Sequence, residues 1–252
     1  MKYDDTAIAN RYNSARRMPE ETMRLWLDAI AARVPVAEVD TVIDVGCGTG
    51  RFSAVMADLF SARVIGVDVS QTMLSRARET ASHADVSFRE GSAESLPLED
   101  RSSCFLFMSM VYHHIGNPAH AAKEFARVLR PGGFLCVRNS TSDLLDTVPY
   151  LKYFPEAMVL NRGRLPSKTD LIGTMESAGL SLLSHDIIEQ QFADSLAEYC
   201  EKISQRGLSD LTMLQDSEFE AGIQRMNSAV DSDENPGPIL ECVDMFVFRK
   251  SS

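Results

Sequence analysis

The sequence predicts an α/β fold built from parallel βαβ units, and three observations carry the prediction. Short apolar runs alternate with longer amphipathic stretches through residue 139, the rhythm of strand, crossover helix and parallel strand. The first run, Thr41–Val45, leads straight into Gly46-Cys47-Gly48-Thr49-Gly50, where glycines permit positive φ and a tight turn into a helix. The second run, Arg63–Asp68, is apolar on both faces and closes on an acid, as a strand covered from both sides requires.

The elements follow in order. Residues 1–34 read as helical: Ile8, Tyr12 and Ala15 share a face, and after Pro19-Glu20-Glu21 the apolar spacing resumes through Trp26 and Ile30. A helix over Phe52–Phe60 follows the glycine turn. Ser70 caps a helix from Gln71 to Ala81, with Met73, Leu74 and Ala77 inward. Val86–Arg89 is a short strand, 91–98 a loop, and Cys104–Met110 an all-apolar strand. Pro118 opens a helix to Leu129, and Arg130-Pro131-Gly132-Gly133 turns into a strand over Phe134–Arg138. From Asn139 the pattern changes, and 140–166 carry prolines and aromatics with little periodicity. Ser167–Ala178 is a helix stopped by Gly179. Leu180–Gln190 is a strand, 193–230 two or three helices, and Ile239–Arg249 a last strand. A helical insert between the final two strands of a compact domain reads as a lid. The chain is therefore expected to be one domain, with an N-terminal helical lid (1–34), a ligand-binding core (35–139) and cap segments at 140–166 and 192–236.

Composition narrows the partners. Over 252 residues, 36 Asp and Glu against 25 Lys and Arg give a net charge of −11, so the basic surface that a nucleic acid needs is not expected. No apolar run has the length of a membrane span. Met1–Asp5 lacks the apolar core of a leader, and the expected location is the cytoplasm. The five cysteines show no zinc spacing; reduced thiols and no metal site are expected.

The glycine spacing bears on the ligand. Gly46-x-Gly48-x-Gly50 has Arg51 where the dinucleotide fingerprint places its third glycine, which disfavours a nicotinamide oxidoreductase. Asp68, at a strand end, can accept both ribose hydroxyls of an adenosine, and Gly91-Ser92-Ala93-Glu94 falls at the carboxyl edge of the sheet, where ligands lie. Asp44-Val45-Gly46-Cys47-Gly48-Thr49-Gly50, Asp68, Ser92-Ala93-Glu94-Ser95-Leu96-Pro97, His113-His114 and Leu129-Arg130-Pro131-Gly132-Gly133 together resemble the class I S-adenosylmethionine-dependent methyltransferases. The similarity is to the small-molecule branch related to ubiquinone and menaquinone biosynthesis. These motifs cover about residues 3–138; beyond them the match is one of layout.

The resemblance implies a Rossmann-like, mostly parallel seven-stranded sheet with an antiparallel last strand, and S-adenosyl-L-methionine as cofactor. It implies that Gly46, Cys47, Gly48 and Gly50 pass beneath the methionine portion, and that Asp44 meets its ammonium or orients the loop. Asp68 would bind the ribose, Val69 and Met73 would pack on the adenine, and Ser92 and Ala93 would meet the adenine edge. Backbone around Met108 and Ser109 would face the sulfonium, and Tyr12 and Arg16 would close over the cofactor carboxylate. There are two departures. Ser92 stands where the family usually carries Asp, and Ser103-Cys104 stands where it often has Phe-Asp.

Methyl transfer from a sulfonium is an in-line displacement with a neutral leaving group. Its main requirement is to hold the reactants in line and dry; a base helps only where the nucleophile must lose a proton. His113 and His114 are the candidates for a base or an orienting group, against a plain role in packing a turn. Arg138 and Asn139, closing a strand, and Tyr150 and Tyr153, in the lid, are candidate substrate contacts suited to an anionic or aromatic small molecule; each also fits ordinary packing. The leading expectation is methyl transfer to O, N or C of a small molecule by a monomer or homodimer. The alternative is a non-catalytic, adenosylmethionine-binding regulatory or partner protein.

Overall fold

The computed structural model describes residues 18–232 and 237–251. Tyr12 and Arg16 lie outside the described residues. In chain order the helices are α1 (Glu20–Ala31), α2 (Ser53–Phe60), α3 (Gln71–Thr80), α4 (Pro118–Val128), α5 (Pro155–Arg164), α6 (Lys168–Glu176), α7 (Leu196–Ser204) and α8 (Asp216–Asp231). The strands are β1 (Thr41–Val45), β2 (Arg63–Asp68), β3 (Val86–Glu90), β4 (Ser103–Ser109), β5 (Leu129–Asn139), β6 (Leu180–Ala193) and β7 (Ile239–Lys250).

The strands form one seven-stranded sheet in the order β3-β2-β1-β4-β5-β7-β6. Pairing is parallel from β3 through β5, and β7 runs antiparallel to both β5 and β6. This is the sheet the resemblance implies. The chain winds outward from β1 to β3, then crosses back to lay β4 on the other side of β1. That reversal opens a crevice at the carboxyl ends of β1 and β4, the place where open α/β sheets take ligands.

Burial explains the pattern of the strands. Every residue of β1 is buried, hence its unbroken apolar run. On one face Phe125 and Val128 of α4 and Leu171 and Met175 of α6 share a core with Ile43, Leu106 and Met108. On the other, Trp26 and Ile30 of α1 and Met56 and Phe60 of α2 share one with Val42, Phe105 and Phe107. Ser70, Asn117, Ser167 and Ser195 accept backbone N–H groups at the starts of α3, α4, α6 and α7, each worth about 1 kcal/mol.

Two stretches differ from the sequence reading. Residues Arg130–Gly133 belong to β5 rather than to a turn; the pairing jumps from Ser103↔Leu129 to Phe105↔Phe134, so a bulge absorbs the Pro-Gly-Gly residues. Residues 140–166 fold into two short 3₁₀ turns, Ser142–Thr147 and Pro149–Lys152, and α5. With α7, α8 and the turn Leu211–Met213 they build a lid with its own apolar centre of Tyr150, Phe154, Tyr199, Leu211 and Met226. Among the described residues no helix is long and apolar enough to cross a membrane.

Candidate functional site

The turn after β1 takes its shape from its glycines. Gly46, Gly48 and Gly50 all have positive φ, 67°, 55° and 75°. A Cβ at Gly46 would lie 2.4 Å from Val111 Cγ2, whereas one at Gly48 would meet nothing within 4 Å. Gly46 is therefore glycine because the wall is tight, and Gly48 because the backbone turns left-handed beside open space. Gly46 and Cys47 donate their N–H groups to the Val67 carbonyl, which ties the turn to the end of β2.

That turn borders a cavity of about 850 Å³ lined by Gly46, Gly48, Asp68, Val69, Met73, Ser92 and Ala93, closed on the far side by Met110, Val111 and His114. Asp68 accepts N–H groups from Gly48 at 2.8 Å and Ser70 at 2.9 Å. A carboxylate offers about four acceptor positions, so capacity remains for two hydroxyls. Burial raises the Asp68 carboxyl above its usual range, against the N–H groups that lower it. Val69 is 63% exposed, a large apolar side chain left open beside Met73 at the cavity wall.

Other expected cofactor contacts lie elsewhere. Asp44 is buried behind the turn and accepts the Ser53 hydroxyl at 2.7 Å, which fixes β1 to the first residue of α2. Burial pushes its carboxyl up to about 6, opposed by the Ser53 hydrogen bond and reinforced by Asp68. Cys47 turns into the core beside Gly66, and Gly50 packs against Ala81 and Phe88. Met108 is fully buried, and Ser109 accepts from Arg138 Nη1 at 3.1 Å; neither lines the cavity. The two residues that follow do. Met110 has φ 57°, and its N–H donates to the Arg138 carbonyl at 2.7 Å. A left-handed methionine has no signature in residue type, so the sequence could not single it out.

A second cavity, of about 1100 Å³, lies between the sheet and the lid. Met110 lines both cavities, His114 the first and His113 the second. The two imidazoles belong to one 3₁₀ turn, Tyr112–His114, with ring centroids 4.1 Å apart. Asn139 is fully buried. Its Nδ2 donates to the Ser140 carbonyl at 2.7 Å, which turns Oδ1 toward His113 Nδ1 at 3.2 Å. A carbonyl oxygen only accepts, so Nδ1 carries the proton and Nε2 is left as the acceptor in the neutral ring.

Arg138 borders the second cavity, with its guanidinium 4.3 Å over the Trp26 ring and Nη2 donating to Gln190 at 3.0 Å. Gln190 also accepts from Trp26 Nε1 at 2.8 Å. Tyr150 lines this cavity, and its hydroxyl donates to buried Asp210, which takes a second bond from Asn161 Nδ2 at 2.6 Å. Tyr153 is buried in the lid beneath the Lys152 ammonium and lines neither cavity. Gln190, Asn161 and Asp210 reach the cavity from three separate segments, and no local motif in the sequence marks them.

Residues 43–137 match the family described as Methyltransferase domain. The chain is 30% identical over 171 residues to an uncharacterized methyltransferase of Schizosaccharomyces pombe, covering 64% of this chain and 60% of that one. It is 34% identical over 124 residues to the 27-O-demethylrifamycin SV methyltransferase of Amycolatopsis mediterranei, covering 48% and 45%. The chain thus spans less than two thirds of either relative. A crystal structure from Anabaena variabilis, described as a methyltransferase from an antibiotic biosynthesis pathway, superposes with a TM-score of 0.70 at 18% identity. It covers 90% of this chain and 96% of that one. The first cavity has what an adenosine needs, in the carboxylate of Asp68, the apolar Val69 and Met73, and the bare backbone at Gly48. Residues 43–137 thus carry a methyltransferase domain, on a sheet whose fold is shared with that solved structure.

Proposed function

We propose that the protein transfers a methyl group to a small molecule held in the cavity beneath the lid, with His113 as the base or orienting group. The observation that carries this reading is the split of the histidine pair across two cavities that share Met110. Donor and acceptor chambers then meet at one residue, and an imidazole stands on the acceptor side. S-adenosylmethionine supplies an electrophilic methyl group when bound. The chain's residues supply the rest. Gly46, Gly48 and Asp68 orient the donor, the lid excludes water from the acceptor, and His113 Nε2 takes a hydroxyl or amine proton. Asn139 holds the imidazole in the tautomer whose Nε2 is an acceptor. The lid and insert segments act as the cap that selects the acceptor.

The test is turnover of methyl-labelled cofactor over a panel of hydroxylated and amino metabolites. His113→Ala should lower kcat by about a hundredfold or more, within the range for a positioned base, while S-adenosylhomocysteine affinity stays within about threefold. Unchanged kcat in this variant would return His113 to a packing role.

A further inference from the structure

Among the described residues, Arg164 is a cation at the acceptor cavity that the fold does not use. Arg164 closes α5 and lines the cavity, one turn beyond Asn161 on the same helix face. It is half-buried, and it makes no hydrogen bond or ion pair among the described residues. Its neighbour Arg162 points outward and reaches Asp146. Lys202, also at the cavity, is held by Glu198 at 2.8 Å. In a chain with 36 acids, this half-buried guanidinium forms no ion pair with a carboxylate among the described residues.

Around it the wall is largely apolar, with Leu145, Val148, Leu151, Leu165 and Leu208. Asp210 and Glu241 also border the cavity, and they disfavour a dianion such as a phosphate. We infer that the acceptor is an apolar molecule carrying a carboxylate, and that Arg164 pairs with that carboxylate. This rests on the cavity beneath the lid being the acceptor site. A guanidinium takes a carboxylate through two parallel N–H bonds, so Arg164 fixes which end of the molecule lies away from His113.

Three probe pairs test the inference, each an acid with its primary amide: 6-hydroxy-2-naphthoate, 4-hydroxybiphenyl-4'-carboxylate and 12-hydroxydodecanoate. Calorimetry is run on the full chain saturated with S-adenosylhomocysteine. At least one acid should bind tenfold or more tightly than its amide. Arg164→Gln should remove that preference, and Arg162→Gln should keep it. Equal binding of acid and amide in all three pairs overturns the inference, as does an acid preference that survives Arg164→Gln. S-adenosylhomocysteine binding is read first and alone, so a failure there counts against the methyltransferase reading and not against the carboxylate.

Discussion

Asp44 joins sequence, fold and chemistry at a single carboxyl. Burial raises its pKa to about 6 in the folded chain, against about 3.9 when unfolded. The folded state therefore holds a proton that the unfolded state has lost, and stability falls as pH rises from about 4 through 6. Two pH units at one group amount to roughly 3 kcal/mol. Asp44→Asn keeps an acceptor for Ser53 and removes the charge. Without ligand it should be more stable than wild type by about 1–3 kcal/mol at pH 8, with the gain shrinking toward pH 5. Urea unfolding at several pH values measures this, and a gain that does not vary with pH would rule out Asp44 as its source. Residues of this kind were legible from the sequence where a motif fixes the backbone, as at Gly46, Gly48 and Asp68. They were not where a contact depends on a turn without a residue signature, as at Met110, or on partners far apart in sequence, as at Gln190.

The elements of the sheet half were readable because the central strands are covered on both faces and read as unbroken apolar runs, while each flanking helix turns one apolar face to the sheet. Apolar runs gave β1, β2 and β4 to within a residue or two, serine caps gave the starts of α3 and α6, and Pro118 gave that of α4. The lid was harder. Its 3₁₀ turns are too short to show a period, and Tyr150 and Phe154 turn toward one another while Tyr199 reaches back to Phe192 of β6 and Glu241 of β7. Gly222 shows how closely those elements fit. A Cβ there would sit 2.1 Å from Phe154 Cε1, in a ring that is fully buried. Alanine adds about 1 kcal/mol of helix propensity to α8, but overpacking a core typically costs 1–3 kcal/mol, and this ring has no free direction. Gly222→Ala should therefore destabilise the chain by about 1–2 kcal/mol in denaturant unfolding. A neutral or stabilising result would mean that the lid yields more readily than its packing implies.

At the scale of the whole molecule, the reversal of strand order at β1 and β4 opens the cavity at Gly48, and the cavity beneath the lid adjoins it at Met110. Binding S-adenosylhomocysteine at about a hundred times its Kd should add roughly 2.7 kcal/mol to unfolding, and NAD at the same concentration should add none. Asp68→Ala should abolish most of that gain; a full gain in this variant would put the nucleoside somewhere other than the cleft at Gly48. The two cores that flank the sheet and the one inside the lid have no buried residue in common. Substitutions in the lid therefore register first as lid repacking, while the half that holds Gly48 and Asp68 keeps its own supports. Under the proposed reading, a chain arranged in this way can drift in acceptor preference over generations without rebuilding the cleft at Gly48, and the lid is the part to exchange when a new acceptor is wanted.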